Sequence, residues 1–91
     1  MFLHVTEATY IEAYKLQLTF DDGTVKDVDL QEELYGEVFK PLKDIEAFKQ
    51  VTVNPDTNTI EWPNGADFAP EFLFELGQEI KPVPPAVVNI S

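Results

Sequence analysis

Residues able to do chemistry are scarce in this chain, and their spacing argues against most reactions. The single histidine, His4, lies in a β-branched run with no Asp or Ser beside it. The single serine, Ser91, is the last residue, and there is no cysteine. Nucleophilic catalysis needs a nucleophile, a base in contact with it and a third group to orient the base, and the sequence offers no such set. His4 is therefore expected to be a partly exposed strand residue. Seventeen carboxylates make chance pairs inevitable. Asp21-Asp22, Asp27/Asp29, Glu32-Glu33 and Asp67/Glu71 could each ligate a hard cation together with other oxygens, yet none follows a calcium-loop pattern. Paired acids for glycoside hydrolysis would need an enclosing cleft, which so short a chain rarely provides. All four glycines suit turns or helix stops, which leaves no phosphate-binding loop. The expectation is a protein that is not an enzyme, with no catalytic residue, no metal site and no cofactor.

One stretch concentrates the remaining interest: Ile60-Glu61-Trp62-Pro63-Asn64-Gly65-Ala66-Asp67-Phe68-Ala69-Pro70-Glu71, with the only tryptophan and a strong turn signal. Pro63 presets φ for the second position of a tight turn and Gly65 accepts positive φ, so residues 62–65 should reverse the chain. Trp62, Pro63, Asn64, Asp67 and Glu71 are the candidate partner-binding residues, because exposed loops on rigid scaffolds are where binding residues collect. A structural reading competes. Period-2 alternation turns Ile60 and Trp62 into the core and Thr59 and Glu61 to water. Pro70 and Glu71 suit the first turn of a helix that buries Phe72, Leu73 and Leu76, and Asp67 would cap it.

The elements that must position this stretch can be read from periodicity. Apolar and β-branched residues at 3–10 give a first strand, and Tyr14, Leu16, Leu18 and Phe20 alternate with Lys15, Gln17 and Thr19 in a second, with a loose turn at 11–13. Asp22-Gly23 reads as a two-residue type I′ hairpin loop, with Phe20 facing Val25. Val28 and Leu30 then fall on the opposite parity to Val25, which calls for a β-bulge near Lys26 and Asp27. Asp29 with Glu32 resembles a capping box for a short helix that buries Leu30 and Leu34 and stops at Gly36. Val38, Phe39, Pro41 and Leu42 make an apolar connector. Asp44 caps a second short helix with Ile45 and Phe48 inward. Two strands containing Val51, Val53 and Ile60 could pair around the loop at 54–58. The expected fold is α+β: a small antiparallel sheet of about five strands, in the order β-β-β-α-α-β-β-α, packed with short helices.

Composition bounds the rest. Residues 1–79 should form a single compact domain and residues 80–91 a Pro-rich apolar tail or linker. That tail could also dock as a strand, giving a homodimer. A net charge of −11 is offset by seven Phe, three Tyr and one Trp, burial that disordered acidic chains lack. The six cations are all lysines, with no arginine. Nucleic-acid affinity comes mostly from phosphate neutralisation, so direct DNA or RNA binding is not expected. An acidic surface favours a basic protein partner instead. No membrane contact is expected, since the apolar runs are short, and the absence of cysteine fits the cytoplasm.

The run Trp62-Pro63-Asn64-Gly65-Ala66-Asp67-Phe68-Ala69-Pro70-Glu71, with Leu18-Thr19-Phe20-Asp21-Asp22-Gly23, Val28-Asp29-Leu30 and Val38-Phe39-Lys40-Pro41-Leu42, resembles a family of small bacterial proteins catalogued as domain of unknown function 2442. The resemblance covers roughly residues 5–75 and implies a compact α+β domain. Some relatives carry a helix-turn-helix after this domain and are described as DNA-binding; some are suspected members of toxin–antitoxin-like gene pairs. With a Pro-rich tail and no arginine in this sequence, the DNA-binding implication is not expected to carry over. The family supplies no catalytic residues to transfer.

The functional expectation is a small acidic protein-interaction module, antitoxin-like or regulatory, that binds a basic protein partner. The alternative is a regulatory or sensory domain of a transcription-related protein that lacks its own DNA-binding unit here. An enzyme comes third.

Overall fold

The computed structural model of the chain describes residues 3–79. The tail expected at 80–91, and the homodimer expected through it, lie outside the described residues. Strands β1 (Val5–Glu12), β2 (Lys15–Phe20) and β3 (Val25–Asp29) form an antiparallel meander. The alternation of β2 matches its sequence pattern: Leu16, Leu18 and Phe20 are buried, while Lys15, Gln17 and Thr19 lie half-buried on the other face. The β1–β2 connection is tighter than a loose turn at 11–13. Glu12 pairs with Lys15, and Ala13 takes a φ of 46° beneath the Tyr10 hydroxyl, which donates to its carbonyl.

The β2–β3 loop departs from the expected type I′ turn, which needs positive φ at both Asp22 and Gly23. Only Gly23 has it, at 89°. The Phe20 carbonyl accepts from Gly23 N at 2.9 Å and Phe20 N donates to the Thr24 carbonyl at 2.8 Å, so Asp21, Asp22 and Gly23 form a longer loop and Phe20 faces Thr24. Asp22 Oδ1 accepts from Thr24 N at 2.9 Å, a local bond that competes with the two-residue geometry. That backbone bond, helped by the Thr24 hydroxyl, holds the Asp22 carboxyl below the usual carboxylate range.

The longer loop removes the need for a bulge at Lys26 and Asp27. Strand β3 pairs with β2 in unbroken register from Val25 to Asp29, so Lys26 lies opposite Leu18 and Val28 opposite Leu16. Lys26 thus holds a core-facing position. Its stem packs inward, its Nζ lies 3.6 Å from the Phe74 ring centroid and it donates to the Phe74 carbonyl.

Strands β4 (Thr52–Asn54) and β5 (Thr59–Glu61) pair as a separate hairpin, and β6 (Gln78–Glu79), which the sequence did not signal, adds to the outer edge of β3. Among the described residues the strands therefore divide into a four-stranded sheet, β1-β2-β3-β6, and a two-stranded one, β4-β5, in place of a single sheet of about five strands. The class is α+β, and the order of elements up to β6 follows the sequence reading except for an added 3₁₀ turn in the connector before the second helix.

The helices are short. Asp29 Oδ1 accepts from Gln31 N at 3.0 Å, but no capping box closes, Leu30 takes the cap position and only a 3₁₀ turn forms at Gln31–Glu33. Leu30 and Leu34 are buried all the same. A second 3₁₀ turn (Lys40–Lys43) leads into α1 (Ile45–Phe48), which Asp44 caps through Glu46 N at 3.1 Å. Helix α2 (Pro70–Leu76) returns the chain to the sheet. The core joins Leu16, Leu18, Phe20 and Val28 of the sheet to Leu42, Phe48, Ile60, Trp62 and Leu73. Thr59, expected to face water, is 4% exposed because its hydroxyl donates to the Phe68 carbonyl. Glu61 is half-buried and accepts from Asn54 Nδ2 at 2.9 Å. Among the described residues no helix is long and apolar enough to cross a membrane.

Candidate functional site

The turn at 62–65 forms as its residues dictate. Gly65 N donates to the Trp62 carbonyl and Trp62 N to the Ala66 carbonyl, both at 2.9 Å, with Gly65 at a φ of 90°. What the turn presents is different from a binding loop. Trp62 is 2% exposed and its Nε1–H donates to the Phe48 carbonyl at 2.8 Å, so the indole is a core anchor with its one polar atom satisfied. Asn64 spends both ends on the fold: Oδ1 accepts from Ala66 N at 3.1 Å and Nδ2 donates to the Val38 carbonyl at 2.8 Å. Pro63 is exposed beside a shallow cavity of about 240 Å³ that Trp62 and Asn64 share with Pro41, Leu42, Ala47 and Gln50.

Asp67 does not cap α2. Ala69 holds the cap position without a side-chain bond, and Pro70 supplies the first turn, so the carboxylate two residues upstream has no donor to satisfy. Its backbone forms an isolated antiparallel bridge with Glu61, and its side chain is exposed. Asp67→Ala is accordingly expected to change stability by less than about 0.5 kcal/mol, the range of ordinary surface substitutions, read in a thermal melt beside the parent.

That exposed carboxylate instead rims a cleft of about 310 Å³ lined by Glu33, Tyr35, Phe39, Asp67, Phe68, Ala69 and Phe72. Phe72, expected in the core, is 40% exposed here, because the seven-residue helix turns Leu73 inward and leaves Phe72 on the cleft side. Tyr35 is 70% exposed. Phe68 stacks on Phe39 at 4.6 Å with a 25° tilt and on Phe72 at 5.6 Å with a 15° tilt. Its edge meets Trp62 at 6.0 Å, and Trp62 in turn meets Phe48 at 5.7 Å. The ladder of rings thus runs continuously from the core to the cleft. No basic residue lines it among the described residues. Among the described residues, Lys15 and Lys49 pair with Glu12 and Glu46, and Lys26 sits over Phe74.

The structure therefore splits the five sequence candidates. Trp62 and Asn64 are structural, Pro63 faces a different cavity, Glu71 is exposed on the first turn of α2, and only Asp67 lines the aromatic cleft. Sequence reasoning misses Glu33, Tyr35, Phe39, Phe68 and Phe72 as site residues. Tyr35 carries a signal: a large aromatic beside Gly36, in a stretch that no periodicity buries.

The fold also gives His4 a neighbour that the sequence hid. Asp21 Oδ2 lies 3.6 Å from His4 Nδ1, and Asp21 Oδ1 accepts from His4 N at 3.3 Å. Strand pairing brings the two together from 17 positions apart. His4 itself precedes β1 and is half-buried. Among the described residues, no group of three or more His, Asp or Glu side chains is placed to hold a metal ion.

The family described as "Protein of unknown function (DUF2442)" matches residues 5–79. The chain belongs to that family. A search of curated proteins and a search of solved structures each give no significant match. The DUF2442 match begins with the first residue of β1 and ends with the last residue of β6, so it takes in both sheets and the cleft. Within this DUF2442 chain the Trp-Pro-Asn-Gly-Ala-Asp run works mainly as a folding device: an indole in the core, a turn, and an asparagine bracing the connector at Val38.

Proposed function

We propose that the protein is a small acidic interaction module, a binder rather than a catalyst, whose partner is a basic protein engaged at the cleft between Tyr35 and Phe72. The observation that carries this reading is the cleft itself. It sets exposed aromatic surface beside two carboxylates, Glu33 and Asp67, with no basic residue in its lining among the described residues. Exposed aromatics with a charged rim are the composition of protein-contact surfaces, where the rings supply area and the rim supplies steering. The net charge of −11 adds a long-range field that draws a basic partner to the surface. The cleft's openness to solvent suits a protruding side chain of a partner better than an enclosed small-molecule reaction.

A decalysine peptide titrated into the ¹⁵N-labelled protein at low ionic strength tests this. Amide shifts should concentrate at Glu33, Tyr35, Asp67, Ala69 and Phe72, and should collapse as salt is raised past the Debye regime. Shifts spread evenly over the acidic surface would remove the cleft as the site.

A further inference from the structure

We infer that the cleft is a reader of one arginine side chain on the partner, a guanidinium stacked on the outer end of the Phe39-Phe68-Phe72 ladder with its N–H groups turned to Glu33 and Asp67. This rests on the basic-partner reading and narrows it to a chemical group. Three features choose the guanidinium over other cations. The first is ring geometry. Phe68 and Phe72 lie within 15° of parallel and Phe39 and Phe68 within 25°, so their faces are turned to one another. A box for a quaternary ammonium needs several faces turned toward one centre, whereas a parallel ladder is extended by another planar group. Phe72 stays 40% exposed while it stacks on Phe68, so it leaves ring surface open in the cleft it lines.

The second feature is the donor count. Two carboxylates at the rim offer more acceptor sites than one ammonium can fill while its stem lies along a ring, and the five N–H groups of a guanidinium form a planar fork suited to carboxylates. Among the described residues neither Glu33 nor Asp67 takes part in an ion pair. The third is the chain's own composition. It contains no arginine, and among the described residues no lysine lines the cleft, so no side chain of that lining competes for the place. Tyr35 also lines the cleft and is 70% exposed, so its ring is available to cover the guanidinium while its hydroxyl stays in water.

The test compares three peptides on the full chain by the same amide-shift titration: decalysine, decalysine with one central arginine, and decalysine with one central trimethyllysine. The arginine peptide should bind at least about threefold more tightly than decalysine, the scale of one exposed stacked cation, and the trimethyllysine peptide should gain nothing. Tyr35→Ala and Phe72→Ala should each erase the arginine gain while decalysine still binds, and Asp67→Asn should weaken all three. Amide spectra of the free variants establish that they fold. Equal affinity of the arginine and lysine peptides, or a tighter trimethyllysine peptide, would overturn the arginine assignment and leave the acidic-cleft reading standing. Absence of localised shifts with every peptide would overturn both.

Discussion

Trp62→Ala is expected to lose about 3–5 kcal/mol of stability, which is the range for truncating a large buried aromatic. A domain of this size has roughly 5–15 kcal/mol in total, so the variant should be largely destabilised and melt far below the parent. The indole is 2% exposed and touches the rings of both Phe48 and Phe68, so its removal opens a cavity where the α1 segment, the β5 turn and the aromatic ladder meet. Its loss also leaves the Phe48 carbonyl without the indole N–H at 2.8 Å. Trp62→Phe separates the two contributions: it restores most of the apolar contact but not the donor, and should cost distinctly less than Trp62→Ala in urea unfolding followed by circular dichroism. A Trp62→Ala protein that melts within a few degrees of the parent would show that the core does not depend on this ring.

Much of the scaffold is legible in the sequence because local chemistry and tertiary packing agree there. The alternation of Leu16, Leu18 and Phe20, the Asp44 cap, the Pro63-Asn64-Gly65 turn and the pairing of two strands around the loop at 54–58 each follow from residues within one element and its neighbour. The departures share a different cause. Parity along β3 reads from Val25 because valine is the better core residue, yet the register is set by the hydrogen bonds of the loop, and these place Lys26 inward. A lysine can occupy such a place only because Phe74, 48 residues later, covers its head. Nothing near Lys26 in the sequence carries that information.

The cleft is hidden for the same reason. Glu33, Tyr35 and Phe39 come from the segment between β3 and the second 3₁₀ turn, while Asp67, Phe68 and Phe72 come from the approach to α2 and its first half. Each group looks ordinary alone: a helix-like acidic pair, an apolar connector, an amphipathic helix. In α2 the sequence offers Phe72, Leu73, Phe74 and Leu76, and periodicity over seven residues cannot choose which rings face inward. The sheet chooses instead: Leu73 is buried, Phe74 meets Phe20 at 5.1 Å and Phe72 is left for the cleft.

Gly77→Ala is expected to cost about 1–3 kcal/mol, the range for forcing extra atoms into a packed site. The reason differs from that for the chain's turn glycines. Gly77 has a φ of −74° and a ψ of 159°, a conformation any residue adopts, so backbone freedom does not explain it. Close approach does. A Cβ there would lie 2.8 Å from Val28 Cγ2 and 2.9 Å from Lys26 Cβ, at the point where α2 ends against β3 and β6 begins to pair. Neither neighbour yields easily: Val28 is fully buried, and the Lys26 Cβ sits at the root of a side chain pinned over Phe74. Alanine would restrict the unfolded chain and recover about 0.4–1 kcal/mol, which the steric cost exceeds. Asparagine sharpens the comparison. At Gly65, where φ is 90° and nothing beyond its chain neighbours lies within 4 Å of the place a Cβ would take, the cost of asparagine is backbone strain without a clash, a strain that asparagine bears better than most residues. At Gly77 the same residue is larger than alanine and should cost more than Gly77→Ala. Chemical denaturation of Gly77→Ala, Gly77→Asn and Gly65→Asn separates clash from strain, and a Gly77→Asn protein as stable as the parent would show that the β3–α2 contact is looser than its distances state.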